Sequence, residues 1–304
     1  MISLDIVVVN WNAGYQIKEC LDSINDLDCT TFQIGEVIVV DNNSSDDSIE
    51  NIKKERYNYL LRIIENSYNA GFAKACNQGA QLCQSKYILF LNPDTKLFKD
   101  SLNEVIVYHN SNEHLGVVGI QLIDENKEIA RTCRKFPNKR NRVAKILGLT
   151  RVFPGTGTEM VNWDHNELKE VDQVMGAFFL VKRELFNKLR GFDERFFVYY
   201  EEVDFCKRMQ EMGYKNIFYP HSQAFHKGGG TSNQVKDLRL FYSLRSWLKY
   251  ERKHKGTFQM CLSLIIELGE YLSRYVFLVA NGRKKETKEL NKAYKLLIKS
   301  LREI

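Results

Sequence analysis

Three carboxylates crowd four positions of this chain, Glu201, Glu202 and Asp204, directly behind the aromatic run Phe196 to Tyr200. Acids at a helix start are stabilised by its dipole by a few tenths to about 1 kcal/mol. That accounts for some of them, but three acids exceed what capping needs, and Glu202 could serve as a base on a hydroxyl nucleophile. Asp94 closes the turn-like Asn92-Pro93-Asp94 behind the apolar run Tyr87 to Leu91. A carboxylate there can hold a divalent ion against a diphosphate, although Asn-Pro-Asp-Thr composes a simple turn equally well. His226 stands before Gly228-Gly229-Gly230, where glycines would let a backbone approach a metal or phosphate closely; a lone histidine is also commonly structural. Gly-x-Ser-x-Gly, His-Glu-x-x-His and Gly-x-x-x-x-Gly-Lys do not occur, and no Gly-x-Gly-x-x-Gly follows the first apolar run. These absences argue against serine hydrolase, zinc protease, P-loop and dehydrogenase chemistry.

The elements that must position these residues follow from periodicity. Leu4 to Val9, Val37 to Val40, Leu61 to Glu65 and Tyr87 to Leu91 are short apolar runs of the kind buried in parallel sheets. Between them lie helical patterns: Ile17, Cys20, Leu21 and Ile24 first, then a helix after Asp41 to Asp47 with Ser44 or Ser45 as its N-cap, then a helix within Asn69 to Cys83. This alternation predicts an α/β fold with a mostly parallel sheet flanked by helices. Ligands bind such sheets beyond the carboxyl ends of the strands, and here all four ends are rich in Asn and Asp, at Asn10, Asp41 to Asn43, Asn66 to Asn69 and Asn92 to Asp94. Turn chemistry explains any one of them; four on one edge strain that explanation.

Further along, Ile129 to Thr158 carries eight Lys/Arg and no acid, which reads either as a mobile flap facing an anionic substrate or as a solvated basic loop. An apolar strand over Val171 to Val181, interrupted at Gly176-Ala177, comes next. A helix starting near Val203 and closed by Gly213 follows, then two short strands, Lys215 to Tyr219 and Ser222 to His226, and helix throughout after Leu238.

The composition fits a folded protein of one large α/β domain plus an appendage, with 44% hydrophobic residues and 4 prolines in 304 residues. Seven scattered cysteines without a Cys-x-x-Cys suggest neither zinc nor a redox pair, and favour a reducing cytoplasm. Met1 to Asn10 lacks a signal-peptide pattern, and no apolar stretch of about 18 residues is present to span a membrane. The net charge of +6 divides unevenly: Arg245 to Ile304 carries +8, leaving −2 for the rest. That split argues against a nucleic-acid binder and points to a basic tail meeting an anionic surface.

Taken in order, these pieces resemble glycosyltransferase family 2 with its GT-A fold, and within it the bacterial rhamnosyltransferases that build surface polysaccharides. The resembling residues are Ile6 to Asn10, Val39 to Asp46, Asn69 to Phe72 with Asn77, Leu89 to Asp94, Gly176 to Leu180, Gly191 to Phe197, Tyr200 to Asp204 and His226. They span residue 3 to about residue 255; each motif is weak alone, and their number and order carry the resemblance. It implies a catalytic domain over residues 1–240, with a Rossmann-like nucleotide-binding half (1–98) and an acceptor-binding half (99–240), and a basic amphipathic helical extension over 241–304. Asn10, Asp41, Asn43, Asn69, Asn77 and Asn92 would form or support the nucleotide cleft. Asp94 would hold Mg2+ or Mn2+ as the last acid of a DxD motif whose first acid is here Asn92, with His226 beside it. Gly176 and Ala177 would leave room for the transferred sugar, and Arg245 would approach the leaving diphosphate or the acceptor. Glu202 takes the place of the usual catalytic Asp, one methylene longer, which moves its oxygen by about 1.5 Å; Glu201 and Asp204 would support it, with Glu201 the alternative base.

The implied reaction is an inverting transfer from a dTDP- or UDP-linked donor, L-rhamnose from dTDP-L-rhamnose being the first choice and a UDP-linked glucosyl, galactosyl or GlcNAc donor the alternative. The acceptor would be a glycan or lipid-linked saccharide. A non-catalytic scaffold that keeps the fold is a third reading, prompted by Asn92 and Glu202. From Gln259 to Asn281 the tail is densely apolar with Arg283-Lys284-Lys285 behind it. It reads either as a helix in the interface of the inner membrane leaflet, making a cytoplasmic protein peripheral, or as a hairpin packed on the catalytic domain or on a second subunit of a homodimer.

Overall fold

A computed structural model describes residues 1–228 and 236–304. The first half alternates strand and helix: β1 (Ile2–Asn10), α1 (Gln16–Asn25), β2 (Phe32–Asp41), α2 (Ser48–Lys53), β3 (Leu60–Glu65), α3 (Phe72–Leu82) and β4 (Tyr87–Leu91). Next come β5 (Thr95–Leu97), α4 (Asn103–Ser111), β6 (Leu115–Ile123), β7 (Ile129–Ala130), β8 (Cys133–Arg134), α5 (Lys139–Ile146) and α6 (Leu149–Val152). The remainder is β9 (Lys169–Glu170), β10 (Gln173–Val174), β11 (Phe178–Lys182), α7 (Arg183–Lys188), α8 (Glu201–Glu211), β12 (Lys215–His226), α9 (Lys236–Lys255), α10 (Thr257–Ala280) and α11 (Lys284–Ser300).

Among the described residues the main sheet runs β3-β2-β1-β4-β11-β6-β12-β5. The first four strands are mutually parallel, β6 and β12 are parallel, and β11 and β5 run against their neighbours. The expected mostly parallel sheet flanked by helices is therefore present. β1 and β4 are apolar on both faces because helices cover both: one core gathers Ile17, Cys20 and Leu21 of α1, the other Ala73, Cys76 and Ala80 of α3. The parallel register leaves Asn10 opposite Asp41 and Asp41 opposite Glu65, so the polar strand ends fall on one edge.

Three local expectations change. The helix after β2 begins at Ser48, with Asp47 in the cap position and no side-chain cap bond; Ser44 instead donates to Asp41, and Ser45 donates to Asn12. The two short strands after Gly213 are one strand, β12, with an irregularity between Tyr219 and Gln223. The basic stretch 129–158, expected as a flap or a loop, carries secondary structure of its own: two short strands and helices α5 and α6. Arg142 of α5 fastens it to α10 through paired 2.6 Å bonds to the buried Glu267. Gly229 and Gly230 lie outside the described residues. The tail is helical, and Leu244, Trp247, Leu248 and Tyr250 of α9 share a third core with Phe196, Val203 and, from α10 and α11, Leu278, Leu290 and Leu297.

Candidate active site

The carboxyl edge of the parallel strands faces a cavity of about 1030 Å³. Its floor is made by Trp11, Asn42, Asn69 and Asn92 to Asp94, and one wall by Gly176, Ala177 and His226. Tyr199 to Glu202 enter from the start of α8, while Arg134 of β8, the following Lys135, and Lys145 and Arg151 of the α5–α6 segment close over it. Tyr242 and Trp247 reach it from α9.

The corner around Asn10 and Asp41 is a hydrogen-bond network. Buried Asn10 donates through Nδ2 to Asp41 Oδ1 (2.8 Å), Ser44 Oγ (3.0 Å) and Ser48 Oγ (2.8 Å). Asp41 also accepts from the Ser44 hydroxyl and backbone N–H, so both its oxygens are engaged. Asn10 and Asp41 are buried just behind the cavity wall and do not line it. Asn43 is exposed in a left-handed conformation (φ 60°) away from the cavity, and it is Asn42 that turns inward. Asn42 donates to Gly71 O and accepts from Asn66 Nδ2 and Ala70 N–H, fixing the loop that carries Asn69. Asn77 acts at a distance: it donates to Phe192 O and accepts from Phe192 N–H, stapling α3 to the loop before α8.

At the opposite side of Asn92-Pro93-Asp94, the Ala177 carbonyl accepts from Asn92 N–H (3.1 Å) and Thr95 Oγ1 (3.3 Å), locking the small-residue pair Gly176-Ala177 against the turn. A side chain at Gly176 would meet nothing nearer than Phe72 at 3.9 Å, so the space above it belongs to the cavity. Asp94 Oδ1 lies 3.3 Å from His226 Nε2, because β12 pairs with β5 directly behind the turn. Among the described residues no group of three or more His, Cys, Asp or Glu could enclose a metal. One carboxylate beside one imidazole does suit an ion whose remaining positions are filled by phosphate oxygens and water.

The base candidates sit under strain and burial. Tyr199 and Tyr200 both hold left-handed backbone (φ 66° and 73°) just before α8, a conformation costly for aromatic residues and characteristic of functional turns. Glu201 is buried and Glu202 half-buried, and neither Oε2 has a hydrogen-bond partner among the described residues. Burial pushes the Glu201 carboxyl well above its ordinary value, and the adjacent Glu202 adds to this. Burial likewise raises Glu202, opposed by backbone N–H groups at the helix start and by Arg134. A carboxyl tuned upward and aimed into a cavity is suited to taking a proton near neutral pH.

Asp204 and Arg245 are placed elsewhere. Asp204 is fully buried below α8 and bound to Arg208 (2.7 Å), Lys253 (2.6 Å) and His254 (2.8 Å). Burial would raise its carboxyl, but His254, Arg208 and Lys253 outweigh that and hold it below the ordinary value. It therefore anchors α8 to α9, supporting the glutamates through the helix and not by contact with the cavity. Arg245 pairs with Glu303 near the end of the chain (2.5 Å) and does not line the cavity. Trp11, Asn42, Tyr199, Tyr200 and Arg134 escaped the sequence reading as site residues. Asn42 had a signal, since it stands in the same Asn-rich strand end as Asn43.

A family model described as glycosyl transferase family 2 matches residues 5–203. Among curated relatives, the N-acetylglucosaminyl-diphospho-decaprenol L-rhamnosyltransferase of Mycobacterium tuberculosis is 24% identical over 269 residues, covering 83% of this chain and 85% of the relative. The rhamnosyltransferase WbbL of Escherichia coli is 28% identical over 166 residues, 54% of this chain and 61% of its own. A low-salt glycan biosynthesis hexosyltransferase of Haloferax volcanii is 26% identical over 205 residues, 67% of this chain, which spans 61% of that protein's length. Among solved structures, a mannosyltransferase of Pyrobaculum calidifontis in complex with GDP-Man and Mn2+ superposes with a TM-score of 0.57 at 18% identity, covering 98% of this chain and 86% of that one. At such identity the likeness carries the fold alone.

Proposed function

The chain belongs to glycosyl transferase family 2, and on that premise we propose that it moves L-rhamnose from dTDP-L-rhamnose onto a hydroxyl of a glycan or lipid-linked saccharide, with inversion. The observation that carries this reading is the Glu201–Glu202 pair, raised in pKa and open to the same cavity as Asp94 and His226. The rhamnosyltransferases among the relatives support the choice of sugar.

The nucleoside would lie along the Asn42 and Asn69 edge, with Asn10 and Asp41 fixing that edge from behind. The sugar would occupy the open space above Gly176 and Ala177. Glu202 would accept the proton of the acceptor hydroxyl as that oxygen attacks the anomeric carbon from the face opposite the leaving diphosphate. Arg134 would steady the ionised form of Glu202, and the aromatic wall of Tyr199, Tyr200 and Trp247 would exclude water. Asp94 and His226 would hold Mg2+ or Mn2+, which supplies positive charge to the departing diphosphate.

The test is calorimetry of dTDP and UDP with and without Mn2+, followed by a screen of nucleotide sugars scored by hydrolysis. We expect dTDP to bind more tightly than UDP, with Mn2+ strengthening both. Preference for UDP would reassign the donor, and absence of binding to either would remove the transferase reading in favour of a scaffold.

A further inference from the structure

α10 presents an apolar face that nothing else in the described structure covers. Phe258, Ile265, Leu272 and Val279 recur every seven residues, each more than half exposed. Tyr275, Val276 and Phe277 are consecutive and all exposed. Successive helical residues lie about 100° apart, so this face sweeps about 200° near its C-terminal end. A single partner helix covers a narrower seam, whereas a bilayer covers the whole arc. α10 is not itself a spanning helix: no described helix is long and apolar enough to cross a membrane.

Charge selects among the possible occupants. The acids of α10, Glu267 and Glu270, point inward to Arg142, and Arg274 pairs with Glu270 on that same side, so the apolar face of α10 itself carries no charge. Exposed Arg283, Lys284 and Lys285 follow at its end. A second copy would bring another +8 tail against the first, while an anionic leaflet gains about 1 kcal/mol per nearby Lys or Arg.

A second, separate surface has the same character. At the α5–α6 tip Leu147, Val152 and Phe153 are 65%, 70% and 61% exposed, within the stretch that has basic residues and no acid. Arg142 joins this segment to α10, and between the two lies a groove of about 490 Å³ lined by Lys145, Ile146, Ser273 and Arg274. The groove shares Arg142, Lys145 and Ser243 with the lining of the central cavity.

We infer that the outer face of α10, together with the α5–α6 tip, seats the protein on an anionic lipid bilayer with the groove opening toward the cavity. The apolar side chains enter the headgroup boundary, the arginines and lysines meet lipid phosphates, and an acceptor held in the leaflet reaches the cavity without leaving the surface. Only that last consequence rests on the acceptor being lipid-borne. The seating itself is measured without donor or acceptor, so its failure is distinct from failure of the transfer reading.

The experiment is sedimentation of the full chain with vesicles of phosphatidylglycerol and phosphatidylcholine in equal parts, against phosphatidylcholine alone. The expected result is partitioning at least about tenfold stronger onto the anionic vesicles. The double substitution Ile265→Glu with Leu272→Glu should lower it at least about tenfold with an unchanged circular dichroism spectrum. Lys284→Glu with Lys285→Glu, at exposed positions outside the apolar face, should weaken binding to anionic vesicles only. Protein that stays in the supernatant, or binding indifferent to both double substitutions, overturns the inference. A dimer in analytical ultracentrifugation that dissociates on Ile265→Glu with Leu272→Glu, without vesicle binding, gives the face to a second copy and overturns it equally.

Discussion

Two carboxylate corners stand at the same cavity under opposite conditions, Asp41 buried behind its wall and Glu201 and Glu202 on its lining. At Asp41 both oxygens are taken, by Asn10, the Ser44 hydroxyl and the Ser44 backbone N–H. At Glu201 and Glu202 one oxygen of each carboxyl is buried without a partner, and burial drives both toward the protonated form. A carboxylate with both oxygens engaged holds a shape, although Asn10 Oδ1 beside it is buried without a partner among the described residues. A carboxyl with an unengaged oxygen keeps capacity for a proton or a hydroxyl. The contrast separates the residues proposed to set the donor edge from those proposed to do chemistry.

The largest expected effect breaks the reactive corner. Glu202→Gln should lower transfer by about 10²- to 10⁴-fold while dTDP affinity measured by calorimetry stays close to wild type. The same loss in Glu201→Gln with Glu202→Gln active would move the base one residue. The satisfied corner should fail differently. Asp41→Ala strands the Ser44 N–H and removes one of three acceptors of the Asn10 amide, costing about 1–3 kcal/mol in denaturant unfolding and weakening nucleotide binding, with much less effect on turnover at saturating donor.

pH sharpens the same comparison. A base must be ionised to act, and the Glu202 carboxyl titrates above its ordinary 4.5. The rate at low donor concentration should therefore fall about tenfold per pH unit as pH drops through that raised value. Asp204, held low by His254, Arg208 and Lys253, is still ionised there, so circular dichroism should show the fold intact over the same window. The sign for stability is the reverse at the glutamates: a carboxyl raised in the folded state favours folding when protonated, and this contribution is lost as pH rises through the raised value. The smallest effect is Ser44→Ala, about 0.5–1.5 kcal/mol in unfolding with turnover unchanged, because Ser48 still accepts from Asn10.

The sheet was legible because buried parallel strands are apolar throughout. Tyr87–Leu91 coincides with its run, β1 and β3 exceed theirs by one to three residues, and β2 begins five residues early at Phe32, where Gln33, Gly35 and Glu36 break the apolar run. The Asn-rich strand ends fall at the cavity, but periodicity could not tell Asn42 from Asn43, since one left-handed residue decides which side chain turns inward. Asp204 and Arg142 were opaque for a different reason. Their partners, His254 and Glu267, lie 50 and 125 residues away, and local pattern carries no information over that distance. The Ser44 cap failed because a tertiary demand, the Asp41 network, outbid a local preference.

The contact between Gly71 and Phe197 bears on how such a chain can be recombined. Gly71 has φ +89°, and a β-carbon there would sit 2.6 Å from the Phe197 carbonyl, which accepts from the Phe72 N–H. The loop carrying Asn69 and the segment leading to Glu201 are thus one interlocked part, though more than a hundred residues separate them in sequence. A chimera that borrows residues 1–98 from a relative with another donor must import the 191–202 segment as well. Exchanged alone, the borrowed half would bring its own glycine loop against a foreign backbone, and the tolerances of that single close approach would decide whether the hybrid works.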